Sequence, residues 1–114
     1  MRRGEVYDAD FEPVQGSEQG GTRPAIIVSN DSINASSQVV RVVPCTTYRP
    51  PRRIYRSQVL IIAPDGGFDR DSIAREQVRA LAKIRLLRKR GILSESAVVL
   101  LNSALSIALD LSNQ

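Results

Sequence analysis

The sequence predicts a mainly β domain of the α+β class, a compact twisted or half-closed antiparallel sheet followed by a C-terminal helix. Short apolar runs rich in Val and Ile alternate with Gly and Pro breakers, which is typical of short strands joined by turns. The segment 94–111 differs, because its apolar residues recur at helical spacing. The chain has 114 residues, 42 % of them hydrophobic, so we expect one core and a single domain over 1–114.

The strands are predicted from alternation, β-branched runs and breakers. Clusters of Gly or Pro predict loops over residues 12–23 and 48–53. Residues 31–36 are predicted to form a short helical turn. Pro44 is expected to end its strand, because proline has no N–H to donate to a sheet. Residues 84–87 either pair with a strand or begin a helical turn. We therefore expect strands over residues 4–11, 24–29, 38–45 and 57–63, and one or two more between 73 and 82.

The C-terminal helix is predicted to begin at Ser94, a favourable N-cap residue. A small domain cannot bury a whole helix surface, so we expect part of this one to meet another chain; the alternative is a groove in its own sheet. Its apolar side chains cover most of the circumference, with Ala97, Leu101, Ala104, Leu105 and Ala108 in one stripe and Val99, Ile107 and Leu109 outside it.

Charge and composition narrow the class of protein. The net charge is +4, but residues 1–31 sum to −3 and residues 41–90 to +9. So basic a segment indicates an anionic partner such as a polyphosphate backbone, or else a solvated face that only aids solubility. No apolar run approaches the roughly 18 residues of a membrane span, and the N-terminus lacks a signal-peptide core. With Cys45 as the only cysteine and no histidine, we expect a cytoplasmic protein without a disulfide, zinc site or cofactor.

Five short motifs follow one another along the chain: Arg3-Gly4-Glu5-Val6, Gly16-Ser17-Glu18, Arg23-Pro24-Ala25-Ile26-Ile27-Val28-Ser29-Asn30, Val43-Pro44-Cys45-Thr46-Thr47 and Glu76-Gln77-Val78-Arg79. In this order they resemble the MazF/PemK family of toxin endoribonucleases. The resemblance implies an SH3-like barrel with a C-terminal helix, acting as a homodimer and paired with a cognate antitoxin protein. It also implies metal-independent, sequence-specific cleavage of single-stranded RNA, which leaves a 2′,3′-cyclic phosphate and a 5′-hydroxyl.

Without histidine, RNA cleavage has to use a carboxylate, a guanidinium and hydroxyls. Arg23 suits contact with a phosphate, although a salt bridge to Glu18 or Asp10 would also explain it. The resemblance implies that Arg23 and Thr46 are catalytic. Glu18 is our candidate for the base that takes the 2′-hydroxyl proton, and the alternative is a solvated loop carboxylate. Cys45 is a poor nucleophile, because no histidine can activate it.

The candidate RNA-binding residues flank these three. The motif at 76–79 offers an amide for a base edge and a guanidinium for a phosphate, or else a surface strand with an ordinary ion pair. The cluster of Lys and Arg over residues 83–90 either binds an acidic antitoxin peptide or has no specific partner. Our candidates for RNA contact are Ser17, Gln19, Thr47, Tyr48, Arg49, Arg52, Arg53, Arg56, Gln77 and Arg79.

Two other functions fit a small barrel of this kind. A gyrase-poisoning toxin of the same fold would engage its target through the terminal helix and would not need Arg23 or Thr46. A non-catalytic RNA-binding barrel would keep the basic loops and tolerate the loss of Arg23. Substitution of Arg23 separates these functions from the nuclease, because only the nuclease loses cleavage while it stays folded.

Overall fold

In a computed structural model, residues 1–12 and 21–111 are described. The described part is mainly β with a C-terminal helix, which confirms the predicted fold class. Its strands are β1 (Glu5–Asp10), β2 (Thr22–Ile27), β3 (Val39–Thr47), β4 (Val59–Ile61), β5 (Ser72–Ala74), β6 (Arg79–Ala82) and β7 (Leu86–Ile92), and its helices are α1 (Asp31–Ser36) and α2 (Glu95–Ala108). Two 3₁₀ turns, Asp65–Gly67 and Lys83–Arg85, precede β5 and β7.

All strand pairs are antiparallel, in the order β4-β5-β3-β2-β1-β7, with β6 also paired to β3. The long strand β3 joins the two parts of the sheet. Its first half pairs with β6 and β2, and its end, from Cys45 to Thr47, pairs with β5. Strands β6 and β5 follow one another along the same edge of β3, and β2 lies along the opposite edge.

The prediction that Pro44 ends its strand is wrong. Strand β3 continues through Pro44 to Thr47. Val42 is the last residue of β3 that pairs with β6 and Cys45 is the first that pairs with β5, so Pro44 lies between these two ladders and its missing N–H interrupts neither. Its carbonyl is still used, because it accepts a hydrogen bond from the backbone N–H of Arg75 at 3.1 Å.

The sheet has an apolar cluster on each face. The first contains Val6, Ile26, Val43 and Cys45 and is covered by α2, which packs on it through buried side chains. The second contains Ala9, Phe11, Ala25, Ile27, Val40, Val42 and Leu81. Because successive residues of a strand point to opposite faces, adjacent residues of β1, β2 and β3 divide between the two clusters.

Helix α2 begins as predicted, with the Ser94 hydroxyl accepting a hydrogen bond from the backbone N–H of Ala97 at 3.2 Å. Its buried stripe consists of Ala97, Leu101 and Ala104. Outside that stripe Val99 is 62 % exposed and Leu100 is 57 % exposed, so the helix keeps a second apolar face that its own sheet does not cover. No helix within residues 1–12 and 21–111 is both long and apolar enough to cross a membrane.

Of the two alternatives for residues 84–87, both are partly present: a 3₁₀ turn ends at Arg85, and strand β7 begins at Leu86 and continues to Ile92. It lies antiparallel to β1, and basic side chains of β7 meet acidic side chains of β1. Asp8 accepts from Arg88 Nε at 3.1 Å and from Arg90 Nε at 2.6 Å, while Glu5 Oε2 lies 2.8 Å from Lys89 Nζ. This part of the basic cluster therefore helps to hold the sheet together.

We expect Glu5 to make the fold acid-sensitive. Burial alone would raise the pKa of Glu5, but hydrogen bonds from Lys89 and the backbone of Arg2, together with the Lys89 charge, lower it overall. A carboxyl with a lowered folded-state pKa stabilises the protein above its unfolded pKa of about 4.3, and this contribution is lost as the pH falls through the folded value. The melting temperature should therefore fall more steeply between about pH 5 and pH 3 in the wild type than in Glu5→Gln.

Glu95→Gln is the control for this prediction, because Glu95 is an exposed carboxylate on α2. It should keep the wild-type dependence on pH. Equal slopes in the wild type and Glu5→Gln would show that Glu5 does not carry the effect.

Candidate functional site

Arg23 and Thr46 lie on the same face of the sheet. Arg23 is opposite Ala9 in the β1–β2 ladder, and Ala25 is opposite Pro44 in the β2–β3 ladder. Opposite residues of an antiparallel pair share a face, and alternate residues of one strand share it too. Arg23, Ala25, Pro44 and Thr46 therefore face the same side. Arg23 and Thr46 each lie two residues beyond Ala25 and Pro44, the last pair of the β2–β3 ladder.

The charge of Arg23 also influences Cys45, the residue that precedes Thr46. Cys45 is fully buried, and burial strongly raises the pKa of its thiol, while the charge of Arg23 partly opposes that rise. A buried thiol with a raised pKa does not supply a thiolate, so Cys45 serves as an apolar residue of the core.

The structure separates Thr46 from Thr47. The two threonines are neighbours on β3, so their side chains point to opposite faces. Thr47 lines a cleft of about 460 Å³ together with Tyr48, Arg49, Pro50, Arg70 and Asp71. Three of the predicted RNA-binding residues therefore meet in this cleft, which we call the Thr47 cleft, and Thr46 lies on the side of Arg23.

Arg79 belongs to the face that carries Arg23. It is opposite Val42 in the β3–β6 ladder, and Val42 is opposite Ile27 of β2. Its guanidinium carbon lies 5.1 Å from the centre of the Phe11 ring, which suits a cation–π contact. This places a second guanidinium on the sheet face that holds Arg23.

Gln77 lies on the segment between β5 and β6, which runs beside Pro44. Within the same motif Glu76 has structural contacts. Its carboxylate accepts from the Ser57 hydroxyl at 2.9 Å and from the Gln58 amide at 3.1 Å, and it lies 3.6 Å from Arg75 Nε. The ion pair considered for this motif is thus present at Glu76.

The loop after β3 is exposed, as predicted, and carries Arg49, Arg52 and Arg53. Arg53 stacks over the Tyr55 ring with 4.7 Å between the guanidinium carbon and the ring centre. Arg56 is exposed as well, but it lines a different groove, between β4 and α2. The structure therefore does not bring Arg56 to the Thr47 cleft.

Ser17, Glu18 and Gln19 lie outside the described residues, which resume at Gly21. The sequence offered a salt bridge from Arg23 to Asp10 as an alternative role for Arg23. In the structure the Asp10 carboxylate lies 3.7 Å from Nη1 of Arg85, with which it forms an ion pair.

Phe11 and Arg85 are two residues beside this site that sequence reasoning missed. The alternation of β1 was a signal for Phe11, since it places Phe11 on the face of Ala9. Arg85 was counted with a basic cluster, and nothing in the local sequence indicates its contacts with the end of β1.

The chain closely resembles proteins of known type. A family model described as a PemK-like, MazF-like toxin of type II toxin–antitoxin systems matches residues 2–109. Endoribonuclease MazF9 of Mycobacterium tuberculosis is 41 % identical over 97 % of this chain and 98 % of its own length. Endoribonuclease MazF of Staphylococcus epidermidis is 45 % identical over 99 % of this chain and 94 % of its own length.

Solved structures agree in fold. A mycobacterial endoribonuclease in complex with its cognate antitoxin superposes with a TM-score of 0.82 at 26 % identity, covering 100 % of this chain and 99 % of that one. MazF from Deinococcus radiodurans superposes with a TM-score of 0.81 at 22 % identity, covering 96 % of each chain.

Proposed function

Because the chain belongs to the PemK-like, MazF-like family of type II toxins, we propose that it is a metal-independent, sequence-specific endoribonuclease that cleaves single-stranded RNA. The nucleophile is the 2′-hydroxyl of the substrate itself. The observation that supports this proposal best is that Arg23 and Thr46 lie on one face of two adjacent strands, each two residues beyond the last pair of the β2–β3 ladder. Rigid strands hold a guanidinium and a hydroxyl more precisely than loops do.

The proposed reaction needs no group that the chain lacks. The 2′-oxygen attacks the neighbouring phosphorus while its proton passes to a base, for which Glu18 is the candidate. Arg23 binds the phosphate oxygens as negative charge builds up on them, and Thr46 donates a hydrogen bond to the same phosphate. The bond from phosphorus to the 5′-oxygen breaks and that oxygen takes a proton from water. The hydroxide left behind takes up the proton held by the base, so the base is restored. The products are a 2′,3′-cyclic phosphate and a 5′-hydroxyl.

Substrate binding is assigned to two surfaces. On the side of Arg23 we propose Ser17, Gln19, Gln77 and Arg79 as contacts to bases and phosphates. At the other side of β3, the Thr47 cleft and the exposed Arg52 and Arg53 follow the RNA backbone, with Tyr48 available for stacking. Single-stranded RNA fits this arrangement, because unpaired bases are free to stack on aromatic rings.

We also propose that the chain acts in the cytoplasm as a homodimer that a cognate antitoxin protein inhibits. The uncovered apolar face of α2 supports the homodimer. A groove of about 510 Å³ beside that helix, lined partly by Val28, Leu105 and Leu109, offers further apolar surface. Light scattering should give twice the 12.6 kDa of one chain, and the mass of a single chain would contradict the dimer.

The test of the reaction is incubation of a long unstructured RNA with the purified protein in excess EDTA. Discrete fragments with 5′-hydroxyl ends are expected, and their ends map the recognition sequence. A folded protein that leaves the RNA intact would contradict the proposal. In that event a DNA supercoiling assay would test the gyrase-poisoning alternative, and RNA binding without cleavage would indicate the non-catalytic barrel.

A further inference from the structure

The residues that follow β1 are hydrogen-bonded to the residue that precedes β2. The backbone N–H of Phe11 donates to the carbonyl of Gly21 at 3.0 Å, and the backbone N–H of Gly21 donates to the carboxylate of Glu12. Gly21 has a φ of +75°, in the left-handed region that favours glycine. We call Phe11, Glu12 and Gly21 the stem, because residues 13–20 connect its two sides. Gly21 is only two positions before Arg23.

Arg85 holds this stem from a distant part of the chain. It lies on the 3₁₀ turn between β6 and β7, and its Nη1 donates to the backbone carbonyls of Glu12 and, at 3.5 Å, of Asp10. The same nitrogen lies 3.7 Å from the Asp10 carboxylate. All of these contacts are made by the single nitrogen Nη1, whose two hydrogens can donate to the two carbonyls.

The stem also adjoins a second candidate RNA-binding residue. Phe11 is 1 % exposed and its ring lies under the guanidinium of Arg79. Phe11, Glu12, Arg79 and Arg85 all line one small cleft of about 140 Å³. The wall of this cleft therefore contains Arg85, two of the three stem residues and the guanidinium of Arg79, which lies on the face of Arg23.

We propose that Arg85 is a positioning residue for the reaction described above, and this inference rests on that proposed function. Arg85 contacts the stem and acts through it. By fixing the end of β1 it fixes the hydrogen bonds to Gly21 and hence the start of β2, where Arg23 lies. Small displacements of reacting groups are costly, because a shift of about 1 Å can reduce a rate by about a hundredfold.

The test compares Arg85→Gln with Arg88→Gln, which removes the same charge from an arginine that pairs with Asp8 on the sheet. Three quantities are measured: kcat and KM for a short RNA with one cleavage site, amide hydrogen exchange of Phe11 and Gly21, and the melting temperature. We expect Arg85→Gln to lower kcat about tenfold to a hundredfold with little change in KM, and to speed exchange at both amides. Arg88→Gln should resemble the wild type, and Arg85→Lys should recover part of kcat because it keeps a charged donor nitrogen.

The outcomes separate this inference from the function on which it rests. A wild type that cleaves no RNA overturns the proposed function, and the positioning role with it. A wild type that cleaves RNA, with kcat and amide exchange unchanged in Arg85→Gln, overturns the positioning role alone. An equal loss of kcat and melting temperature in Arg85→Gln and Arg88→Gln also overturns it, since general loss of stability would then explain both.

Discussion

Replacing Arg23 with Gln is expected to lower the rate of RNA cleavage by about a hundredfold to a thousandfold, the usual cost of removing a group that stabilises developing charge. Gln keeps much of the length and polarity of Arg but has no positive charge for the phosphate oxygens. The loss should appear chiefly in kcat, because the interaction is strongest in the transition state, where the phosphorus is five-coordinate and its oxygens carry the most negative charge. The measurement is single-turnover cleavage of a short RNA in excess EDTA.

Arg88→Gln is again the matched control, because it changes the net charge equally and Asp8 keeps its contact with Arg90. The circular dichroism spectrum and melting temperature of Arg23→Gln should stay near those of the wild type. Cleavage by Arg23→Gln at more than about half the wild-type rate would contradict a role of Arg23 in the catalytic centre, because a group that stabilises the transition state should cost far more when it is removed.

Thr46→Val should lower kcat by about tenfold to a hundredfold, which corresponds to a hydrogen bond to a charged group of about 1.5–3 kcal/mol. Val matches Thr in shape and in preference for a strand, so the change removes the hydroxyl and little else. Kinetics with saturating RNA give kcat directly.

Thr47→Val provides the comparison, because Thr47 faces the other side of β3 and lines the Thr47 cleft. We expect this variant to raise KM and to leave kcat within a few fold. The reverse pattern, with kcat lost in Thr47→Val and retained in Thr46→Val, would show that the two hydroxyls have exchanged roles.

The fold class and most strands were predictable, because they depend on local patterns. The β-branched run that became β2, the alternation of β1 and the N-cap at Ser94 are all visible in short stretches of sequence. Helix α2 also shows the uncovered apolar face that its sequence indicated.

Strand β7 and the path of β3 depend on distant partners. Residues 86–92 show no apolar–polar alternation, and β7 forms where its cations meet Asp8 and Glu5, which lie some eighty residues earlier in the chain (separations of 80, 82 and 84). The missing N–H of Pro44 predicted the end of a strand, but Pro44 lies between the β6 and β5 ladders of β3, where that N–H has no role in pairing.

The candidate site divides in the same way. Arg23 and Thr46 were found by motif, and the alternation of side chains along β2 and β3 puts them on one face of the sheet. Arg85 was not found, because its acceptors are backbone carbonyls 73 and 75 positions earlier in the chain. Contacts of side chains with distant backbone atoms leave no signature in composition or spacing.

The most direct test of the proposed chemistry replaces a single ribonucleotide at a mapped cleavage position with its 2′-deoxy counterpart. If the 2′-hydroxyl is the nucleophile, the protein in excess EDTA should bind this RNA about as tightly as the unmodified one and leave that bond uncut. Cleavage that persists at the modified position would contradict the account, because the attacking oxygen would then have to come from water or from the protein.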